Sequence, residues 1–373
     1  MEKLHIPTKN IDSDKKQEMK DSKYPKSTSN IVSSSPNMSI DEPTVINTLS
    51  TNSTSVQSSK NNNISGNSTD EFGDVVFDYS DQIVRSTNLS LKDVPGMKKV
   101  KEHIFNSFIN PIKNPELAAK YGKKPKGGIL LYGPPGCGKT YIMNALVGEL
   151  GINLLSIKIS DILSKWLGES ENKIAAVFQT ARNNTPIVLF FDEIDAIGMS
   201  RDAMSDNMGY YRPIINQLLM EFNSHLSENN NVYIIGATNA PWDVDIALRR
   251  PGRFDRSILI APPDVESRAG IISYYLKDKT VENLSIEELA QLTVYYSGAD
   301  LSYLCEVAAD SAFNDSLHTN TFRPINMNDF RKALEQVKAT TASWFELINN
   351  HMDCEIIRDD YQNLASYIPQ RVY

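Results

Sequence analysis

The sequence predicts an α/β protein: a parallel sheet with helices on both faces, followed by a small all-helical lid. Three observations carry that prediction. Short apolar runs bounded by Gly or Pro recur through the middle of the chain, longer helical segments separate them, and after Pro263 only helical patterns remain. Runs of this length suit strands buried on both faces, and their alternation with helices is the pattern of a parallel sheet built from crossover connections.

Taken in order, strands are expected at residues 128–132, 153–157, 187–191, 232–236 and 257–260. A helix is expected over 141–150, stopped by Gly151. In the lid, Ser285 with Glu288 and Ser297 with Asp300 have the spacing of capping boxes, and Asn326 is a cap for a helix over 327–337. Near the end, Trp344, Phe345, Leu347 and Ile348 suggest an amphipathic helix that packs back on the rest. Residues 1–70 are rich in Ser, Asn, Thr and Lys and poor in large apolar side chains. Such a segment cannot bury enough surface to offset its ordering entropy, so a disordered tail is expected. A solvated tail and a recruitment arm for an adaptor or substrate fit that composition equally. The expected divisions are therefore a tail at 1–70, a linker at 71–90, the α/β domain at 91–262, the helical lid at 263–340 and a C-terminal helical tail at 341–373.

Composition narrows the function classes. Hydrophobic residues make up 40% of the 373, enough for a sizeable core. A net charge of −8 argues against nucleic acid as the main partner. The three cysteines, Cys137, Cys305 and Cys354, lack metal-ligand or disulfide spacing, which suits a reduced, cytoplasmic setting. No stretch has the apolar length of a membrane span, and the first residues lack the apolar core of a signal peptide.

The chemistry is concentrated in four motifs. The first is Gly133-Pro134-Pro135-Gly136-Cys137-Gly138-Lys139-Thr140, placed after one expected strand and before one expected helix. Its glycines let backbone N–H groups turn inward around phosphates, and the helix N-terminus adds partial positive charge. Lys139 then reaches the β- and γ-phosphates of ATP, and the Thr140 hydroxyl coordinates Mg²⁺, with Tyr141 next in the binding segment. A glycine-rich turn alone would mean little; the Lys-Thr pair and the flanking strand and helix make it specific.

The second motif is the apolar strand that ends at Asp192 and Glu193. Asp192 can hold the magnesium through water, and Glu193 can polarise the attacking water. Taken alone, two acids at a strand end are commonly just solvated. The third is Asn239, after another buried run, where its side chain can sense the γ-phosphate; a lone Asn is more often a turn former. The fourth is Arg249-Arg250-Pro251-Gly252-Arg253-Phe254-Asp255. It is either a solvated basic loop or a set of arginine fingers, for which the forked guanidinium suits phosphate oxygens.

In this order the four motifs resemble the AAA ATPases, over about residues 91–338. The resemblance implies that Arg250 and Arg253 reach the ATP of the next subunit, with Arg249 structural. It implies a head-to-tail homo-oligomer, a hexamer in that family. Ser297-Gly298-Ala299-Asp300 looks like the second sensor, and Ala299 in place of arginine is as in the valosin-containing-protein and katanin branch. Asp93-Val94-Pro95-Gly96 resembles the segment that packs on adenine, although that family more often has Gly at the position of Pro95. Lys165-Trp166-Leu167 resembles the central-pore loop, where an exposed Trp grips an extended polypeptide. The function implied is an ATP-driven motor that remodels protein substrates by threading. The alternatives are a nucleic-acid motor or clamp loader, and a nucleotide switch or scaffold. Cys137, at a helix N-terminus that can lower a thiol's pKa, is either an oxidation-sensitive group or an inert filler.

Overall fold

The computed structural model describes residues 68–69, 75–85, 87–122, 127–163, 168–197, 208–227, 231–351 and 353–364. The tail expected at 1–70 falls almost wholly outside these residues, as do Lys165, Trp166 and Leu167.

Six strands form the main sheet: β1 (Ile83–Arg85), β2 (Gly128–Tyr132), β3 (Asn153–Lys158), β4 (Ile187–Asp192), β5 (Val232–Thr238) and β6 (Phe254–Leu259). Their order is β1-β3-β4-β5-β2-β6. All neighbours from β3 to β6 pair in parallel. The sheet is parallel, as expected, except at one edge. There β1 pairs antiparallel with β3, Ile83 opposite Leu155. It comes from the segment expected to be linker. Two of its three residues are exposed, so it shows no apolar run, and its ladder with β3 needs none. A mixed sheet of this kind, parallel with an antiparallel edge, is common in α/β folds.

Period-two alternation divides the core between the two faces. The longer helices of the domain include α1 (Lys98–Ile104), α2 (Lys139–Leu150), α3 (Glu169–Asn183) and α4 (Met208–Ser227). On one face, Leu130 and Tyr132 of β2 join Leu189 and Phe191 of β4 beneath Phe178 of α3 and Phe222 of α4. On the other, Ile129 and Leu131 join Val188 and Phe190 beneath Ile142 and Leu146 of α2. Gly148 in α2 is fixed by close approach: a Cβ there would lie 1.9 Å from the Leu89 carbonyl oxygen.

Past residue 263 the described elements are helices, beginning with α5 (Val265–Leu276), α6 (Ile286–Leu292), α7 (Gly298–Thr319) and α8 (Met327–Gln336). Ile272, Leu289, Leu304 and Phe330 share one separate core. Reciprocal capping boxes start α7 at Ser297–Asp300 and α8 at Asn326–Asp329. At α6 the Ser285 hydroxyl accepts from the Glu288 N–H at 3.2 Å. Two short helices, α9 (Thr341–Ile348) and α10 (Glu355–Asp359), then return to the sheet. Trp344, Phe345, Ile348 and Ile357 pack there beside Trp242 and Leu259. Leu347 is corrected: it is 47% exposed, off the arc that Thr341, Trp344, Phe345 and Ile348 bury.

Candidate functional site

The site grows from the C-terminal ends of β2, β4 and β5. Beyond β2 the chain turns through Gly133 and Gly136, both in left-handed backbone, before α2 begins at Lys139. A Cβ at Gly133 would meet the Ile260 carbonyl oxygen at 2.3 Å, and one at Gly136 would meet the Ser297 hydroxyl at 2.7 Å. Only glycine satisfies both the φ values and the space. The Ala299 N–H of α7 donates to the Gly136 carbonyl at 3.2 Å, so the lid helix begins against this loop.

Lys139 is 8% exposed, and its ammonium donates to the carbonyls of Gly133 and Pro134 at 2.9 and 2.8 Å. Burial pushes its pKa down to about 8. A buried cation at the head of a helix favours an anion beside it, which would restore the charged form. One position on, the Thr140 hydroxyl donates to Asp192 Oδ2 at 3.3 Å, while Asp192 Oδ1 accepts the Glu193 N–H at 2.9 Å. Glu193 adopts φ +53°, uncommon for a residue with a side chain and frequent at functional sites. Its carboxylate pairs with Lys158 at 3.1 Å, and that hydrogen bond raises the lysine's pKa.

These residues surround one cleft of about 450 Å³. Its wall includes Val94, Pro135, Gly136, Cys137, Gly138, Lys139, Thr140 and Tyr141 from the core side. Asp192, Glu193 and Asn239 close its base, and Gly298 and Ala299 face it from the lid. Gly133 and Pro134 lie behind the wall, with their carbonyls on the lysine. The sequence reasoning missed Lys158, Met97, Ile271, Tyr274 and Tyr275. The two tyrosines are exposed by 61% and 37%, so an aromatic pair at the solvent edge of a lid helix was their one available signal.

Among the described residues no group of three or more His, Cys, Asp or Glu could hold a metal. The neighbouring oxygens of Thr140 and Asp192 nevertheless fit Mg²⁺, which prefers one or two protein oxygens with phosphates and water completing its shell. Of the two readings of Cys137, its environment favours the inert filler: it is 2% exposed, and burial pushes its pKa up to about 12 despite the nearby Lys139. Arg250 is exposed, Arg253 donates to the Ala247 carbonyl at 2.6 Å, and neither lines this cleft. Arg249 turns inward, Nη1 lying 3.8 Å from Cys354 Sγ.

The chain is similar in sequence to known proteins. The family "ATPase family associated with various cellular activities (AAA)" matches residues 129–262, and the AAA+ lid domain matches residues 283–332. Over 250 residues the chain is 37% identical to a "Putative cell division cycle ATPase" of Plasmodium falciparum (isolate 3D7). That similarity covers 67% of this chain and 20% of the relative, so the chain spans about a fifth of the relative's length. ATP hydrolysis is the chemistry these likenesses support.

Proposed function

From a chain that carries an AAA ATPase domain followed by its lid, we propose a Mg²⁺-dependent ATPase subunit that works in a ring and remodels protein substrates. The observation that supports it most is the convergence of Lys139, Thr140, Asp192, Glu193 and Asn239 on one cleft beneath the lid. The loop from Gly133 to Gly138, with Lys139, holds the triphosphate. Thr140 and Asp192 hold Mg²⁺, which when bound neutralises charge on the phosphate oxygens. Glu193 orients and polarises the attacking water, and Asn239 bonds the γ-phosphate or that water. Val94 and Tyr141 flank the base, and Gly298 and Ala299 cover the site from the lid.

Arg250 and Arg253, away from their own chain's cleft, serve a neighbour's site, which calls for a homo-oligomer closed head to tail, a hexamer. Lys165, Trp166 and Leu167 grip the polypeptide in the pore, the tail at 1–70 recruits substrate or adaptor, and the ring works in the cytoplasm. The domain limits follow the same scheme: α/β domain 91–262, lid 263–340, helical tail 341–373.

ATPase rates with an unfolded protein, with DNA and with neither decide the class. Stimulation by unfolded protein that Trp166→Ala abolishes, with basal rate and assembly intact, is the expected result. Stimulation by DNA alone points to a nucleic-acid motor, and stimulation by neither points to a switch or scaffold.

A further inference from the structure

We infer that Trp344 is a positioning residue for ATP hydrolysis, setting Asn239 in the cleft through its backbone carbonyl; this rests on the ATPase reading above. Asn239 directly follows β5, whose last residue, Thr238, pairs with Tyr132 at the end of β2. There the chain leaves the sheet ladder, and what holds the peptide decides where the Asn239 side chain points. On one side the Thr238 hydroxyl accepts the Ala240 N–H at 2.9 Å. On the other, the indole Nε1–H of Trp344 donates to the Asn239 carbonyl at 2.6 Å, across 105 residues of chain.

The indole is itself held firmly. Trp344 is 5% exposed, and its ring lies 6.0 Å from Trp242 and 5.2 Å from Phe345. Trp242 is stacked in turn on His351 at 4.5 Å. A buried indole N–H needs an acceptor, and here the acceptor is the peptide that carries a cleft side chain.

The same helix is tied to the lid. Thr340, its N-cap, donates from both N–H and Oγ1 to Asp300 Oδ2, at 3.1 and 2.9 Å. Asp300 Oδ2 also accepts the Ser297 N–H at 2.8 Å, in the capping box that starts α7. The first residues of α7, Gly298 and Ala299, line the same cleft as Asn239. One turn of helix thus fixes the lid wall at Thr340 and the base wall at Trp344. A displacement of Asn239 relative to the phosphate site affects the step in which that side chain acts, and leaves the Lys139 contacts alone.

The test is a double-mutant cycle on the full chain, with rates expressed per ATP-binding site so that unfolded protein drops out. Trp344→Phe keeps a large aromatic ring and removes the N–H. It should lower kcat about three- to tenfold, the rate equivalent of one hydrogen bond. The affinity for ATP should stay at the parent value. In an Asn239→Ala background no side chain remains to be positioned, so Trp344→Phe should lower kcat no further. Thr340→Val, which removes the hydroxyl's bond to Asp300 at an exposed position, should give a smaller loss of the same kind, again absent in Asn239→Ala; it carries the test if Trp344→Phe does not fold. An equal loss in both backgrounds would mean that Trp344 only braces the fold and would overturn the inference, as would an unchanged kcat or a matching loss of ATP affinity. A parent chain that hydrolyses no ATP would instead remove the functional reading itself.

Discussion

Lys158 and Glu193 form an ion pair, Nζ to Oε1 at 3.1 Å, between the end of β3 and the residue just after β4. The register that pairs Lys158 with Asp192 brings the two together. Glu193 is thereby held toward a neighbouring strand by the same carboxylate that would orient the water. Both side chains are more than a third exposed, so solvent screens the pair and it adds little to stability. Lys158→Ala should therefore melt close to the parent temperature. Its basal ATPase should rise several-fold at unchanged KM, because Glu193 is freed from the pair and can turn to the water. A fall in rate would instead make Lys158 a contributor to the reaction.

Lys139 makes ATP affinity depend on pH on the alkaline side. Burial brings its pKa from 10.5 down to about 8, and phosphate contacts favour the charged form. Above about pH 8 the free site is mostly neutral at this residue, so binding takes up a proton and weakens as pH rises. The unliganded fold responds in the opposite sense. Between about 8 and 10.5 the unfolded chain binds more protons than the folded one, so stability rises with pH there. Calorimetric titrations in buffers of different ionisation enthalpy should detect the proton taken up at about pH 9. An affinity that stays flat from neutral pH to that point contradicts the assignment.

Much of this site was legible because its signals are local. The phosphate loop, Asp192 with Glu193, and Asn239 each follow an apolar run, and such runs mark strands buried on both faces. What stayed hidden depends on which strands become neighbours. Lys158 meets Glu193 only because β3 and β4 are adjacent, and Trp344 meets Asn239 across the whole lid. Edge strand β1 was missed because a three-residue, mostly exposed strand carries no apolar pattern. Cys137 was ambiguous for a related reason. A helix N-terminus is visible in sequence, whereas the burial that overrides it is a property of the packed loop.

That burial has a consequence for redox behaviour. With its pKa pushed up to about 12, Cys137 carries almost no thiolate at neutral pH, and the thiolate is the reactive form. Peroxide should inactivate the parent and Cys137→Ala at equal rates. Protection by Cys137→Ala would show that the loop opens enough to ionise the thiol.

Arg253 donates to the Ala247 carbonyl within its own chain, a bond it would exchange for phosphate oxygens at a subunit contact. Arg253→Ala should bind ATP as the parent does, yet lose on the order of 10³-fold or more in hydrolysis, as finger loss does elsewhere. Specific activity of the parent should also rise with protein concentration. Full activity from a dilute monomer on a sizing column would exclude a finger acting in trans.

The most direct test of the account compares the parent, Glu193→Gln and Lys139→Ala for ATP binding and for single-turnover hydrolysis. In the proposed mechanism Lys139 contacts the phosphates of bound ATP, whereas Glu193 acts mainly on the water in the transition state. Glu193→Gln should therefore retain parent-like ATP affinity while its single-turnover rate falls by orders of magnitude, and Lys139→Ala should fail to bind. Turnover by Glu193→Gln at near the parent rate would contradict the assignment of this cleft as the place where ATP is hydrolysed.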